Sequence, residues 1–180
     1  ALRMAEQAAR DVDAIKVFES QGRSIDDMAA SLDGLIDKAS LARQVNLAES
    51  FGIRGEDFAR GIELARAAAV ATGQSFDYML NSFTVAASRM SKPIADNLGI
   101  MVSAEEANDR YAESLGRTAS SLTDVEKRQA FVNEMLRQGV PLTERVNKAG
   151  ADSSSKFDKM AASAKDASSA FGSCLYTHLT

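Results

Sequence analysis

Glycine residues divide this sequence into segments in which apolar residues recur at steps of three and four. The chain contains 11 glycines but only two prolines, Pro93 and Pro141. Glycine tolerates the left-handed conformation that ends many helices, whereas proline interrupts them, so this pattern predicts several short helices. The predicted helix ends are Gly22, Gly52, Gly73, Gly99, Gly116 and Gly139.

The composition favours helix almost throughout. Hydrophobic residues make up 45% of the chain, many of them alanine, while aromatic residues reach only 6% and tryptophan is absent. Alanine has the highest helix propensity, so little or no sheet is expected, and the core should be thin and lined with small side chains. We predict an all-α fold in which short antiparallel helices form hairpins or an irregular bundle.

Each predicted helix has an apolar stripe. In the first helix the spacing places Leu2, Ala5, Ala9, Val12 and Ile15 on one face. Ser24, followed by Asp27 three residues later, marks a second helix start that resembles a capping box. Gly34 lowers the helix propensity in the middle of the stretch that begins at Ser24. Residues 24–52 therefore form either one bent rod or two helices. Two further stripes are predicted: Phe58, Ile62, Ala65 and Ala69; and Phe76, Met79 or Leu80, Phe83, Ala87 and Met90.

The stretch "SAEEANDRYAESLGRTASSLTDVEKRQAFVNEML" carries two capping boxes. Ser103 with Glu106, and Thr123 with Glu126, have the spacing at which a side chain and a backbone amide satisfy each other at a helix start. Two antiparallel helices joined by about six residues are therefore predicted. Their predicted inner faces comprise Ala104, Ala107, Tyr111 and Leu115 in the first helix, and Val125, Phe131 or Val132, and Met135 or Leu136 in the second.

The character of the sequence changes after Pro141. Residues 141–180 are rich in Ser, Ala, Lys and Asp, with sparse apolar residues. Such a segment forms either a long solvated helix or a partly disordered tail. We therefore predict a helical module at 1–140 and an extended helix or flexible tail at 141–180. The origin of the last residues, "CLYTHLT", is left open.

Charge and hydropathy disfavour two classes of partner. The formal net charge is −4 and the sequence pI is about 5.1, whereas proteins that bind nucleic acids concentrate Lys and Arg on one face. Direct binding of nucleic acid is therefore not expected. The longest apolar stretch, "ELARAAAVATG", is far too short to cross a bilayer, and the first residues lack the pattern of a secretion signal.

Few residues are candidates for chemistry. Glu105, Asp109 and Glu113 recur at steps of four and would form a carboxylate stripe, but the Glu-x-x-His motifs of metal-binding bundles are absent. We interpret the stripe as a solvated face on which Arg110 and Arg117 form local salt bridges.

The only histidine and the only cysteine, His178 and Cys174, both lie in the C-terminal tail and lack partner patterns for catalysis or metal binding. No catalytic, cofactor-binding or metal-binding residue, and no enzymatic activity, is expected. The methionines Met79, Met90, Met101 and Met135 could line an adaptable groove, but their helical spacing favours core positions.

The run "VAASRMSKPIADNLGIMVSAEEANDRYAESLGRTASSLTDVEKRQAFVNEML" resembles the helical region of tail tape measure proteins of long-tailed bacteriophages and prophages. The resemblance rests on the order and spacing of an "LGI" turn, "SAEEANDRYAESLG", an "LT" helix start and "EKRQAF". Upstream, "ARAAAVATGQSFDYMLNSFTVAASR" is similar to the Ala-rich helices that precede that turn. The resemblance covers roughly residues 40–150 and is clearest at 85–136.

This resemblance implies a structural role in the virion. Tape measure proteins are long helical chains around which tail tube subunits assemble, and their length sets the tail length. The implied partners are the tail tube protein, tail assembly chaperones and tail tip proteins. The implied locations are the phage tail and, during assembly, the cytoplasm of the bacterial host, and self-association is possible.

Two other classes of protein remain open. The first is a helical adaptor or chaperone-like interaction module unrelated to phage. The second is a nucleic-acid accessory protein, which the acidic charge disfavours.

Overall fold

The computed structural model describes residues 2–53, 55–149 and 162–167, and these contain helices and no β-strand, as predicted. They fall into two compact units, one formed by residues 2–46 with 162–167 and the other by 47–53 with 55–149. The α-helices are α1 (Leu2–Glu19), α2 (Ile25–Ser31), α3 (Lys38–Ser50), α4 (Gly55–Thr72), α5 (Phe76–Arg89), α6 (Lys92–Ala95), α7 (Ala104–Ser114) and α8 (Asp124–Ala149), with 3₁₀ turns at Asp96–Leu98 and Ala119–Ser121 and a further helical segment at 162–167.

Residues 24–50 form two helices. The Ser24 hydroxyl accepts a hydrogen bond from the Asp27 amide at the start of α2, as the sequence predicts. The chain then leaves the helical conformation at Asp33 and Gly34, both of which have positive φ angles. Helix α3 begins after Asp37, whose carboxylate accepts a hydrogen bond from the Ser40 amide over 2.9 Å. The open question of one bent rod or two helices is thus answered in favour of two.

Helix α1 is rotated relative to the predicted stripe. Its buried residues are Ala8, Asp11 and Phe18, whereas Val12 and Ile15 are half-buried. The buried face therefore differs from the predicted stripe, and it includes Asp11, which is only 4% exposed. The guanidinium of Arg43 on α3 pairs with its carboxylate, so burying Asp11 is compensated.

The core of the second unit lies where α4 packs against α5 and α8. Alanines and glycines on α4 let the helices approach closely. Small side chains of this kind are what the composition predicts for the core. The two predicted stripes of α4 and α5 are buried apart from Ile62 and Met90, which are half-buried. The largest fully buried side chains in this unit are Leu64, Phe76, Met79, Leu80, Phe83, Leu98, Phe131, Val132 and Met135.

Five of the six glycines predicted to end helices do follow a helix end. At Gly99, for example, the chain adopts a φ of 73° directly after the 3₁₀ turn, a conformation that favours glycine. Gly139 is the exception, because α8 continues through Gly139 and Pro141 to Ala149. Gly139 instead faces Leu64 on α4. A glycine is needed there because a β-carbon would be too close to the Leu64 side chain, and not because of the backbone conformation.

Helices α7 and α8 form the predicted antiparallel hairpin. Contacts between them run in opposite directions along the chain, as three pairs show: Arg117 with Glu126, Arg110 with Glu134, and Met101 with Gln138. The second capping box is complete, since Glu126 accepts a bond from the Thr123 amide and Thr123 accepts one from the Glu126 amide. At Ser103 the structure has the first half of the box, a 3.4 Å bond from the Glu106 amide.

Two residues predicted on the inner faces of this hairpin are exposed instead. Leu115 is 44% exposed and Val125 is 67% exposed. Leu115 directly follows the last residue of α7, and Val125 is the second residue of α8. Periodicity places residues on a face, but it does not show where along the helix the packing stops.

Candidate functional site

The predicted carboxylate stripe is a solvated surface. Glu105, Asp109 and Glu113 are all exposed on α7. Within residues 2–53, 55–149 and 162–167, no group of three His, Cys, Asp or Glu residues is placed to hold a metal ion. His178 and Cys174 lie outside the described residues.

The two arginines predicted to form local salt bridges on α7 reach α8 instead. Arg110 lies 3.6 Å from a carboxylate oxygen of Glu134, and Arg117 pairs with Glu126 over 2.5 Å. That prediction was wrong in its partners because the antiparallel hairpin brings the carboxylates of α8 beside α7. These ion pairs therefore connect the two helices of the hairpin.

Glu134 is the centre of a buried polar cluster in the hairpin. Glu134 is only 3% exposed, although its side chain carries a carboxylate. Arg137 donates two hydrogen bonds to it, over 2.6 and 2.8 Å, and Gln138 donates a third over 2.9 Å. The hydrogen bonds from Arg137 outweigh burial and hold the pKa of Glu134 at about 2.

A shallow groove of about 180 Å³ lies beside this cluster between α7 and α8. It has apolar, aromatic and charged walls, with Glu134 at its buried side. The residues that line it are Ala107, Arg110, Tyr111, Ser114, Ala130, Asn133, Glu134 and Arg137.

The geometry of the cluster suits anchoring. A carboxylate with a pKa of about 2 stays ionised at neutral pH, and its acceptor positions are taken by Arg137 and Gln138. A general base needs a pKa nearer the working pH, so Glu134 is a poor one. Its interactions hold α7, through Arg110, against α8.

Sequence reasoning missed Glu134, although a signal was available. Position 134 lies one helical turn after the buried Ala130 and directly before the buried Met135, so it falls on the inner face of α8. Arg137, three residues later, is well placed to pair with it. What the sequence does not provide is Arg110, which lies on another helix.

The methionines divide between two environments. Met79 and Met135 are fully buried and Met90 is half-buried, as the predicted core role requires. Met101 is 78% exposed, so the core prediction was wrong for this residue. It lies in the connection before α7, where its backbone carbonyl accepts a hydrogen bond from Gln138.

No protein-family model matches this chain, and no solved structure matches it significantly. In the part of the chain that the structure describes, none of the helices combines the length and apolarity needed to span a membrane.

Proposed function

We propose that this chain is a helical segment of a tail tape measure protein of a long-tailed bacteriophage or prophage. The observation that carries the proposal is the resemblance of residues 85–136 to the helical region of that family, in the order and spacing of several elements. Those residues include the last five residues of α5, all of α6 and α7, and the first half of α8.

The physical demands of a ruler support the proposal. A continuous helix rises about 1.5 Å per residue, so the number of residues converts directly into a distance. Helix α8 alone, with 26 residues, is about 39 Å long by this relation. Length is a property of the helix itself and needs no reactive group.

The packing of the second unit refines the proposal. Helices α4, α5 and α8 bury a continuous core, so this part of the chain is a folded module and not a bare rod. We therefore propose a module within a longer helical ruler, located in the virion after assembly in the host cytoplasm. Its proposed partners are the tail tube protein, tail assembly chaperones and tail tip proteins.

The composition of purified tails tests this proposal. Tails from the phage or induced prophage that encodes the chain would be isolated, and their proteins digested and identified by mass spectrometry. Peptides from residues 47–149 should occur in complete tails at a constant ratio to the tail tip proteins. If complete tails lack these peptides and the chain is found only in complexes outside the particles, an adaptor or chaperone-like role replaces the proposal.

A further inference from the structure

The groove between α7 and α8 is lined by hydrogen-bond donors that no described residue satisfies. Among the described residues, the Arg110 guanidinium has one ion pair, 3.6 Å from Glu134, and donates no hydrogen bond. Asn133 accepts a hydrogen bond from Gln129, but its own side-chain nitrogen donates none to that part of the chain. The hydroxyl of Tyr111 likewise has no partner there. The groove therefore offers three donor groups to whatever enters it.

The charged acceptor in the groove is already in use. Glu134 accepts two hydrogen bonds from Arg137 and one from Gln138, and these bonds also occupy the Arg137 guanidinium. Glu106 acts electrostatically on Arg137 as well. The lining residues thus carry two arginines against one carboxylate, and the side chain of Arg110 is 52% exposed. A negatively charged acceptor from outside the molecule is the group that complements Arg110.

The size of the groove suits one side chain of a partner better than a free small molecule. Its volume of about 180 Å³ is below the roughly 300–1,000 Å³ of pockets that enclose small ligands. Ala107 and Ala130, which line it, are buried, and Tyr111 is half-buried. Their apolar surface provides contacts for a short apolar stem that ends in an acceptor.

We propose that this groove binds a glutamate side chain of a partner protein. The carboxylate of that glutamate accepts hydrogen bonds from the Arg110 guanidinium and from the Asn133 side-chain amide, and its methylene groups lie against Ala107 and Ala130. A guanidinium presents parallel N–H donors that match both oxygens of a carboxylate. Because the glutamate stays attached to the partner's backbone, the groove does not need to enclose it.

Two blocked tripeptides that differ in one functional group test the proposal: acetyl-Ala-Glu-Ala-amide and acetyl-Ala-Gln-Ala-amide. Each would be titrated into the ¹⁵N-labelled full-length chain at neutral pH and constant ionic strength, with NMR detection at the Arg110 Nε–H and the Asn133 side-chain amide. The Glu peptide should give saturable shifts. The Gln peptide should bind roughly tenfold more weakly, because hydrogen bonds between charged groups are the stronger ones. The internal control is Arg60 on α4, which is exposed and has no ion pair with any described residue.

The variant R110Q removes the cation of the groove, and R60Q is its matched control. R110Q should lose the preference for the Glu peptide, whereas R60Q should bind like the wild type. Equal binding of the two peptides to the wild type, or equal shifts at Arg60 and Arg110, overturns the proposal without depending on the folding of a variant. Propionate, the free acid with the same stem as glutamate, is the third probe. Tighter binding of propionate than of the Glu peptide would assign the groove to a small acid and overturn the protein partner.

Discussion

Leu64 on α4 occupies the space in which a side chain at Gly139 on α8 would lie. A β-carbon built at Gly139 would be 2.6 Å from Cδ1 and 2.9 Å from Cδ2 of Leu64. Leu64 is 2% exposed, so it has little room to move aside. The close approach of Leu64 explains why a glycine stands in the interior of the long helix α8.

Replacing Gly139 with alanine should destabilise the protein, although alanine is the better helix former. The gain in helix propensity is about 1 kcal/mol, and overpacking a core costs about 1–3 kcal/mol. We expect a net loss of roughly 1 kcal/mol in the free energy of unfolding, measured by urea denaturation. The adjacent control V140A, at a position 42% exposed, should change stability by less than about 0.5 kcal/mol. A G139A variant as stable as V140A would show that α4 and α8 are not packed closely here.

Replacing Gly61 with alanine should be more damaging than the change at Gly139. A β-carbon at Gly61 would overlap Cε1 of Phe83, and this ring is fully buried. We expect a loss of about 2–3 kcal/mol, since the ring must leave its position. Urea denaturation of G61A and of G61A/F83L would test this, because leucine should recover part of the loss. Equal stability of G61A and the wild type would contradict the packing of α4 on α5.

The two capping boxes should differ in strength. Replacing Thr123 with alanine removes the hydroxyl that accepts a bond from the Glu126 amide and donates one to the Glu126 carboxylate over 2.9 Å, and should cost about 1 kcal/mol, whereas T123S should retain most of the stability. Replacing Ser103 with alanine should cost less, because the bond lost there is the 3.4 Å bond from the Glu106 amide. Thermal unfolding of the three variants gives the order. A larger loss for S103A than for T123A would contradict it.

The contribution of Glu134 should disappear in acid. Its pKa lies near 4.5 in an unfolded chain and about 2 in the folded protein, so its stabilising effect is complete above pH 4.5 and is lost as the pH falls toward 2. At about 1.4 kcal/mol per pKa unit, the ionised Glu134 adds at most about 3 kcal/mol to the free energy of unfolding. Its contribution is smaller than this limit because the arginines that pair with it are half-exposed and solvent screens their charge.

Urea denaturation of the wild type and E134Q over this pH range isolates that contribution. The difference in unfolding free energy between the two proteins should be largest near neutral pH and shrink steadily between pH 4.5 and 2. A difference independent of pH would show that the Glu134 charge does not stabilise the fold.

Local signals made most of the fold predictable. Helix starts at Ser24, Ser103 and Thr123 follow from bonds between residues three apart, and these were predicted correctly. Gly139 looks locally like a helix end, and only its neighbour Leu64 on another helix shows otherwise.

The candidate site was less predictable for the same reason. Glu134 pairs with Arg110 across the hairpin, and Lys165 pairs with Asp37, about 130 residues earlier. Such contacts between distant parts of the chain leave no periodic pattern in the sequence.

Tail length is the most direct measure of the proposed role. An in-frame deletion of residues 47–152 in the encoding phage or prophage removes the second unit. Electron microscopy should show tails shorter by up to about 160 Å, at 1.5 Å per residue, and a duplication should lengthen them correspondingly. Replacing the deleted residues with an Ala-rich helix that spans the same distance as the folded module should restore the original length. Tails of unchanged length in both the deletion and the duplication would contradict the account.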